Sequence, residues 1–437
     1  MTSLDASMDA PASVPSRLPS SVPVTARRPI RFTGQPRAYW RLLIRGAALL
    51  MVTLGIYRFW LATDVRRFLW SNTEIAGDSL EYSGTAVELL IGFLCALVIM
   101  VPIYLAFFLA ALDIGLIGAL SGGLGVALLF VLGQYSIYLV RRYRLSRTLY
   151  RGLRFHQDGN AVVYAIGASL WWAATALTLG LTLPWMQAWR ERYKMRHTYY
   201  GTVPGRFTGA GWRLFLRGLP LWLIVFVPFA IGFSALTEAY DPETIRLVLR
   251  KASDDDIIAR IEQLDPGLID TIGLAIAALS MAVILAGLVY PLFQSIQLRW
   301  WLSGLRIGEM TARSHLRTAC VYAAYLRFVA YILLCAIALM LAAVPLLMVF
   351  GWLLQGDDVA LWREAAAALI GLGTYVVSML ALSTIYHATV TFSLWRLATE
   401  SLALDRFDTL ERVTAAGGRP SSAIGEGLAD ALQVGGL

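Results

Sequence analysis

The chain has 437 residues, of which 58% are apolar and 15% charged, and a mean hydropathy of +0.62. That composition excludes a soluble globular protein of this length and places the chain in the membrane class. The formal net charge of +8 does not point to nucleic acid, because the cations sit in short segments beside apolar runs, where they set orientation and meet anionic lipid headgroups.

Residues 1–30 are rich in Ser, Pro and Ala and lack the apolar core of a signal peptide, so they read as a disordered tail. Next comes Gly46 to Tyr57, 12 uncharged residues between Arg45 and Arg58, a length suited to an interfacial or re-entrant element. Seven longer uncharged runs follow: Leu89 to Leu112, Ile114 to Val140, Gly159 to Trp189, Gly218 to Thr237, Thr271 to Leu298, Phe328 to Gly356 and Ala365 to Trp395. Each matches or exceeds the roughly 20 residues a helix needs to cross a bilayer, and in hydrocarbon only a helix satisfies its own backbone groups at that length.

A cassette recurs. The stretch from Thr53 to Leu89 returns 125 positions later, from Thr178 to Leu214, without a gap. Thr53, Leu54, Gly55, Trp60, Arg67, Thr73 and Gly84 meet Thr178, Leu179, Gly180, Trp185, Arg192, Thr198 and Gly209. Between the apolar runs lie three basic loops, carrying Arg141 to Arg154, Arg190 to Arg213 and Arg299 to Arg327. The other connections hold Asp113, the acidic stretch from Glu238 to Asp270, and Asp357 with Asp358. Basic loops collect on the cytoplasmic side. They all lie there only if Gly46 to Tyr57 and its mate, ending at Leu179 to Trp185, dip in and return, which leaves six crossings; eight crossings would put a basic loop outside. Within 238–270, Ser253 with Asp256 reads as a capping box on an amphipathic helical hairpin.

The fold expected is therefore all-α, a polytopic transmembrane helix bundle with an internal repeat and six to eight membrane helices, two of them re-entrant in the six-crossing arrangement. Its divisions are a tail at 1–30, a first membrane repeat at 31–158, a second at 159–325 with the acidic extracytoplasmic insert, a final hairpin at 326–396 and a cytoplasmic C-terminal tail at 397–437.

Two groups of residues are candidates for contact with a ligand or a lipid headgroup. In the cassettes, Trp60 with Arg67 and Trp185 with Arg192 place an interfacial aromatic ring beside a guanidinium that can pair with an anion. The alternative for them is a structural corner anchoring helix ends. In the last apolar run, Thr374, Ser378, Thr384, His387 and Thr391 recur at helical spacing, and Thr384 and His387 are its candidate contacts; a histidine bonded within the bundle is the alternative. No HExxH, nucleophile elbow or phosphate loop occurs, and Cys95, Cys320 and Cys335 lack metal-ligand spacing, so neither catalysis nor a cofactor is expected.

The pattern Arg31-Phe32-Thr33-Gly34, Thr53-Leu54-Gly55-Ile56-Tyr57-Arg58-Phe59-Trp60, Arg66-Arg67 and Tyr82-Ser83-Gly84 resembles the YjgN-like family of bacterial inner-membrane proteins. The likeness continues through Arg141 to Thr148 and Arg151 to Phe155, and reaches Gly425-Glu426-Gly427-Leu428-Ala429-Asp430-Ala431. It departs where Arg58-Phe59-Trp60 lacks the proline that Pro184-Trp185 keeps. The resemblance implies the bacterial cytoplasmic membrane and an uncharacterised function, with no catalytic residues. Repeats and broken helices favour a small-solute transporter or channel, although the runs carry no Asp, Glu, Lys or Arg near their centres. The alternative is a structural or lipid-organising envelope protein whose partner is the bilayer and its anionic headgroups.

Overall fold

The computed structural model describes residues 28–112, 116–240, 267–353, 360–407, 413–414 and 421–432. Of the disordered tail expected over residues 1–30, residues 28–30 instead begin a strand, paired on both sides in a sheet, and residues 1–27 lie outside the described residues, as do the Ser253–Asp256 hairpin, Asp113 and the Asp357–Asp358 turn.

The long apolar runs form helices: α3 (Ala86–Ala111), α4 (Leu116–Ser146), α7 (Gly211–Glu238), α8 (Leu268–Gly304), α9 (Thr318–Leu353) and α10 (Ala360–Tyr386). The last continues through a π-helical segment, His387–Thr391, into α11 (Phe392–Glu400). Among the described residues, six helical stretches are long and apolar enough to cross a membrane, beginning at Ala86, Gly122, Gly211, Leu268, Thr318 and Glu364.

The run from Gly159 to Trp189 does not form one helix. It divides into α5 (Ala161–Leu177) and α6 (Leu183–Arg196), just as α1 (Pro36–Val52) and α2 (Arg58–Ser71) flank the Thr53–Tyr57 turn. Helices of 17 and 14 residues reach only about 25 and 21 Å, short of the roughly 30 Å of a hydrocarbon core. At both corners the chain reverses through left-handed backbone, with φ of +50° and +91° at Leu54 and Gly55 and +50° and +92° at Leu179 and Gly180. Glycine takes such a φ without steric cost. The tips are apolar and uncovered, Leu54 being 94% and Leu179 61% exposed.

The backbone at these tips is satisfied locally. Gly55 N–H donates to Leu50 O (2.8 Å), Ile56 N–H to Thr53 O (3.1 Å), and Tyr57 N–H to Thr53 Oγ1 (3.0 Å). The second corner repeats this, with Gly180 N–H on Thr175 O (2.7 Å), Leu181 N–H on Thr178 O (3.1 Å) and Thr182 N–H on Thr178 Oγ1 (3.3 Å).

The expectation of an all-α fold needs one correction. The three basic loops are β-hairpins, and with a fourth hairpin and the first and last strands of the chain they close a ten-stranded barrel of antiparallel neighbours. The strands are β1 (Arg28–Phe32), β2 (Thr73–Ile75), β3 (Asp78–Tyr82), β4 (Thr148–Tyr150), β5 (Leu153–Gln157), β6 (Thr198–Tyr200), β7 (Val203–Phe207), β8 (Leu305–Ile307), β9 (Met310–Ser314) and β10 (Leu402–Asp405). The barrel closes where β1 pairs with β10, Arg28 opposite Leu404. The segment expected as a C-terminal tail thus supplies a wall strand and then a buried helix, α12 (Ile424–Ala431).

Because the hairpin turns all point one way, every helix–strand junction lies at the opposite rim, and five helical hairpins stand on it as a ring. A backbone bond joins each pair of neighbours at that rim: Thr33 N–H to Asn72 O, Ser83 to Arg147, Asp158 to His197, Thr208 to Gly304 and His315 to Ser401, all 2.9–3.0 Å. Threonines at the strand starts add side-chain links. Trp395 Nε1 donates to Thr73 Oγ1 (3.1 Å), and Trp70 Nε1 to Thr148 Oγ1 (3.0 Å).

The barrel lumen is filled. Ile30, Tyr150, Tyr200, Met310, Leu404 and Phe407 form its core, and the phenols satisfy themselves on neighbouring backbone, Tyr150 Oη donating to Ile75 O (2.8 Å) and Tyr200 Oη to Tyr150 O (3.0 Å).

Candidate functional site: an arginine-lined cavity in the helix ring

Where α1, α2, α3, α4 and the last membrane helix converge above the barrel rim, a cavity of about 220 Å³ remains. Its described lining includes Arg58, Arg66, Arg144, His387, Glu426 and Asp430 among apolar side chains such as Leu43, Phe59 and Leu89. Three guanidinium groups and two carboxylates thus meet among its described lining residues.

Each charge arrives on a different element. Arg58 and Arg66 lie two turns apart on α2, and Arg144 is in the last turn of α4. Glu426 and Asp430 are one turn apart on α12, which packs between α3 and α4. It fits there because two of its contact positions are glycine: a Cβ at Gly427 would stand 2.0 Å from the Gly92 carbonyl, and one at Gly425 2.2 Å from Leu139 Cβ, while Leu428 packs on Ala96 and Met100. Ser421 Oγ lies 2.9 Å from Ser146 Oγ just before the helix.

Arg66 donates to Glu426 Oε1 and to Tyr82 Oη (3.1 Å), and both charged side chains are more than nine-tenths buried. The same Oε1 accepts from Arg144 Nη2 (3.3 Å) and Nε (3.4 Å), while Glu426 Oε2 and Arg66 Nε are buried without a hydrogen-bond partner among the described residues. Farther from the barrel, Arg58 pairs with Asp430 (2.6 Å), whose carboxyl burial pushes above the usual carboxylate range. His387, at the start of the π segment, lines the cavity with its Nδ1 3.2 Å from Thr391 Oγ1. Single π-turns within α-helices recur at functional sites because they re-aim side chains.

Of the residues singled out from sequence, His387 reaches this cavity; Thr384 is not in its lining, where Ser383 stands instead. Trp60 and Trp185 are 36% and 38% exposed on the outside of the ring, packed against Tyr57 and Phe215. Arg67 Nη2 donates to Gly84 O (3.0 Å) and Arg192 Nη2 to Gly209 O (3.1 Å), the same bond at both corners. The structure does not bring the two cassettes to one shared pocket. Beside the second corner lies an apolar groove of about 310 Å³ lined by Leu179, Gly180, Trp222 and Phe293.

Sequence reasoning passed over Arg58, Arg66, Arg144, Glu426 and Asp430 as site residues. One signal was available: Glu426 and Asp430 are acids at helical spacing inside an otherwise small and apolar segment.

A second buried charge cluster faces the neighbouring unit. Glu191 pairs with Lys194 and accepts from Trp301 Nε1 (3.0 Å), with Arg141, one turn before Arg144, beside it. Burial lowers the Lys194 pKa to about 8. Glu191 stays below the usual carboxylate range, the attraction of Lys194 and Arg141 outweighing the burial that opposes it.

No curated protein and no solved structure matches the chain. The profile of one family, described as bacterial protein of unknown function, matches residues 27–431, almost all of the described fold. The chain belongs to that family, DUF898, which is the YjgN family.

Proposed function

We propose that this protein is a multi-pass protein of the bacterial cytoplasmic membrane that binds a small anionic solute in the arginine-lined cavity and carries it across the bilayer. The observation that carries the reading is the cavity itself: Arg58, Arg66, Arg144 and His387 converge inside a ring of membrane-length helices, a set of donors whose natural complement is an anion. The filled barrel lumen favours a gated carrier over an open channel.

In this reading the basic barrel is cytoplasmic, together with both chain ends as they enter it. The two short helical hairpins are re-entrant, in keeping with apolar tips whose backbone is satisfied without water. The matching corners 125 positions apart are the trace of an internal repeat. The test is flux in proteoliposomes, using a panel of chloride, phosphate, acetate and succinate. Uptake of at least one anion is expected, falling at least tenfold in Arg66→Ala with Arg144→Ala and in His387→Leu. Uptake equal to that of empty liposomes overturns the reading.

A lipid-organising role is the second reading, favoured by the exposed Arg67 and Arg192, each anchored by one carbonyl beside an exposed tryptophan. It predicts that Arg67→Ala with Arg192→Ala weakens retention of anionic lipid while leaving flux unchanged.

A further inference from the structure

We infer that Arg66 and Arg144, with Arg58 beyond them, form a binding site for a short dicarboxylate, and that Glu426 and Asp430 of the chain's own C-terminal helix occupy it as a tethered surrogate. This rests on the anion-binding reading and adds the ligand class and the competitor.

The chemistry at the site is that of carboxylate recognition. One oxygen of Glu426 is held by two guanidinium groups through charge-assisted hydrogen bonds, short of the two-oxygen fork in which arginine binds a carboxylate best. The fit is unfinished, since the second oxygen of Glu426 and Nε of Arg66 remain buried and unmatched. From the position α12 gives it, the Glu426 carboxylate engages these guanidinium groups through one oxygen only. A free carboxylate can turn to use both, and would recover bonds that the surrogate leaves unmade.

Spacing supplies the class. Glu426 and Asp430 are four residues apart on one helix, so their carboxylates emerge about 5–6 Å apart. Each faces its own arginine, Arg66 with Arg144 at one end and Arg58 at the other. Two carboxylates on a short linker present the same pattern, and the existing cavity adjoins both positions. The helix is seated closely, with glycines at 425 and 427 against Leu139 and Gly92 and Leu428 packed on Ala96 and Met100, so releasing the site means moving the helix as a unit.

The test uses the full-length chain with Cys95, Cys320 and Cys335 replaced by serine, and with Ser146→Cys and Ser421→Cys. The native hydroxyls are 2.9 Å apart, so a disulfide at that point pins the entry to α12. Succinate binding to the detergent-purified protein is measured by calorimetry with this pair oxidised and reduced. Binding should weaken at least tenfold on oxidation and return on reduction. In a separate variant, Glu426→Gln with Asp430→Asn should bind succinate at least tenfold tighter than the parent.

Equal succinate affinity in the oxidised and reduced forms overturns the surrogate role while leaving the anion site standing. Binding of phosphate or acetate with no binding of succinate overturns the ligand class. Succinate binding unchanged by Arg66→Ala with Arg144→Ala removes the site, and with it the anion-binding reading at this cavity.

Discussion

Glu426 and Arg66, 360 positions apart in the chain, form a buried ion pair that ties the C-terminal helix to the first helical hairpin. A buried pair is weak evidence of net stabilisation, but removing one partner is costly because the other is stranded. Arg66→Ala should destabilise the protein by about 3–5 kcal/mol. Adding Glu426→Gln should recover part of that loss, since the carboxylate that lost Arg66 is then neutral, and only part, because Arg144 loses its bonds to the same carboxylate. Thermal unfolding of the two single variants and the double variant in detergent measures the coupling. Strict additivity would show that the pair is not coupled in solution.

The corners make a differential prediction. Thr53 Oγ1 is the acceptor for Tyr57 N–H, so Thr53→Val leaves that amide without its bond. At the second corner Thr178 has hydroxyl neighbours, with Thr182 Oγ1 at 3.0 Å from it and Thr175 Oγ1 at 3.2 Å from Thr182. Those hydroxyls can rotate to take over. Thr53→Val should therefore cost about 1–3 kcal/mol, the penalty of an unsatisfied buried amide, and Thr178→Val clearly less. Equal losses would mean that the amides find water, placing the tips outside hydrocarbon.

Much of this architecture was legible in the amino-acid sequence. Long uncharged runs leave few options, and the break between Leu177 and Leu183 announced itself through Thr178-Leu179-Gly180 matching Thr53-Leu54-Gly55. The barrel was not legible. Its strands are three to five residues long, too short for a period-2 pattern, and β4 to β7 carry Arg154, His156 and Arg206 where their outer faces meet solvent. Arginines read as orientation signals are also wall positions. His387 stood out because a polar group in an apolar helix has few neighbours to hide among. Arg66 and Glu426 did not, because what joins them is closure of the ring and nothing local to either residue.

Lys194 should make stability depend on pH. Its folded pKa, about 8, lies below the ordinary 10.5 because burial disfavours the ammonium, with Glu191 only partly compensating. Between those values the unfolded chain holds more protons than the folded one, so stability rises with pH through that window and is lowest below it, where the buried lysine must be charged. Glu191 remains ionised throughout. The unfolding midpoint should climb from about pH 7.5 to about pH 10, and Lys194→Met should flatten the climb. The same slope in both proteins would assign it to other groups.

The proposed orientation, with the barrel in the cytoplasm, makes a sidedness prediction. Thr202 and Glu309 are exposed in hairpin turns at the barrel end facing away from the helices, and Tyr240 is 67% exposed just past the far end of α7. Single cysteines there, in a background without native cysteines, should divide cleanly under a membrane-impermeant thiol reagent. Tyr240→Cys should label on intact cells, while Thr202→Cys and Glu309→Cys should label only after permeabilisation. Leu54→Cys is the discriminating position, because its side chain is 94% free of protein yet sits on a hairpin too short to cross. If the tip rests in hydrocarbon, that thiol escapes the impermeant reagent from both sides and reacts with a lipid-soluble maleimide. Labelling of Leu54→Cys on intact cells would make α1 and α2 a crossing pair, and labelling of Thr202→Cys there would turn the barrel to the outside.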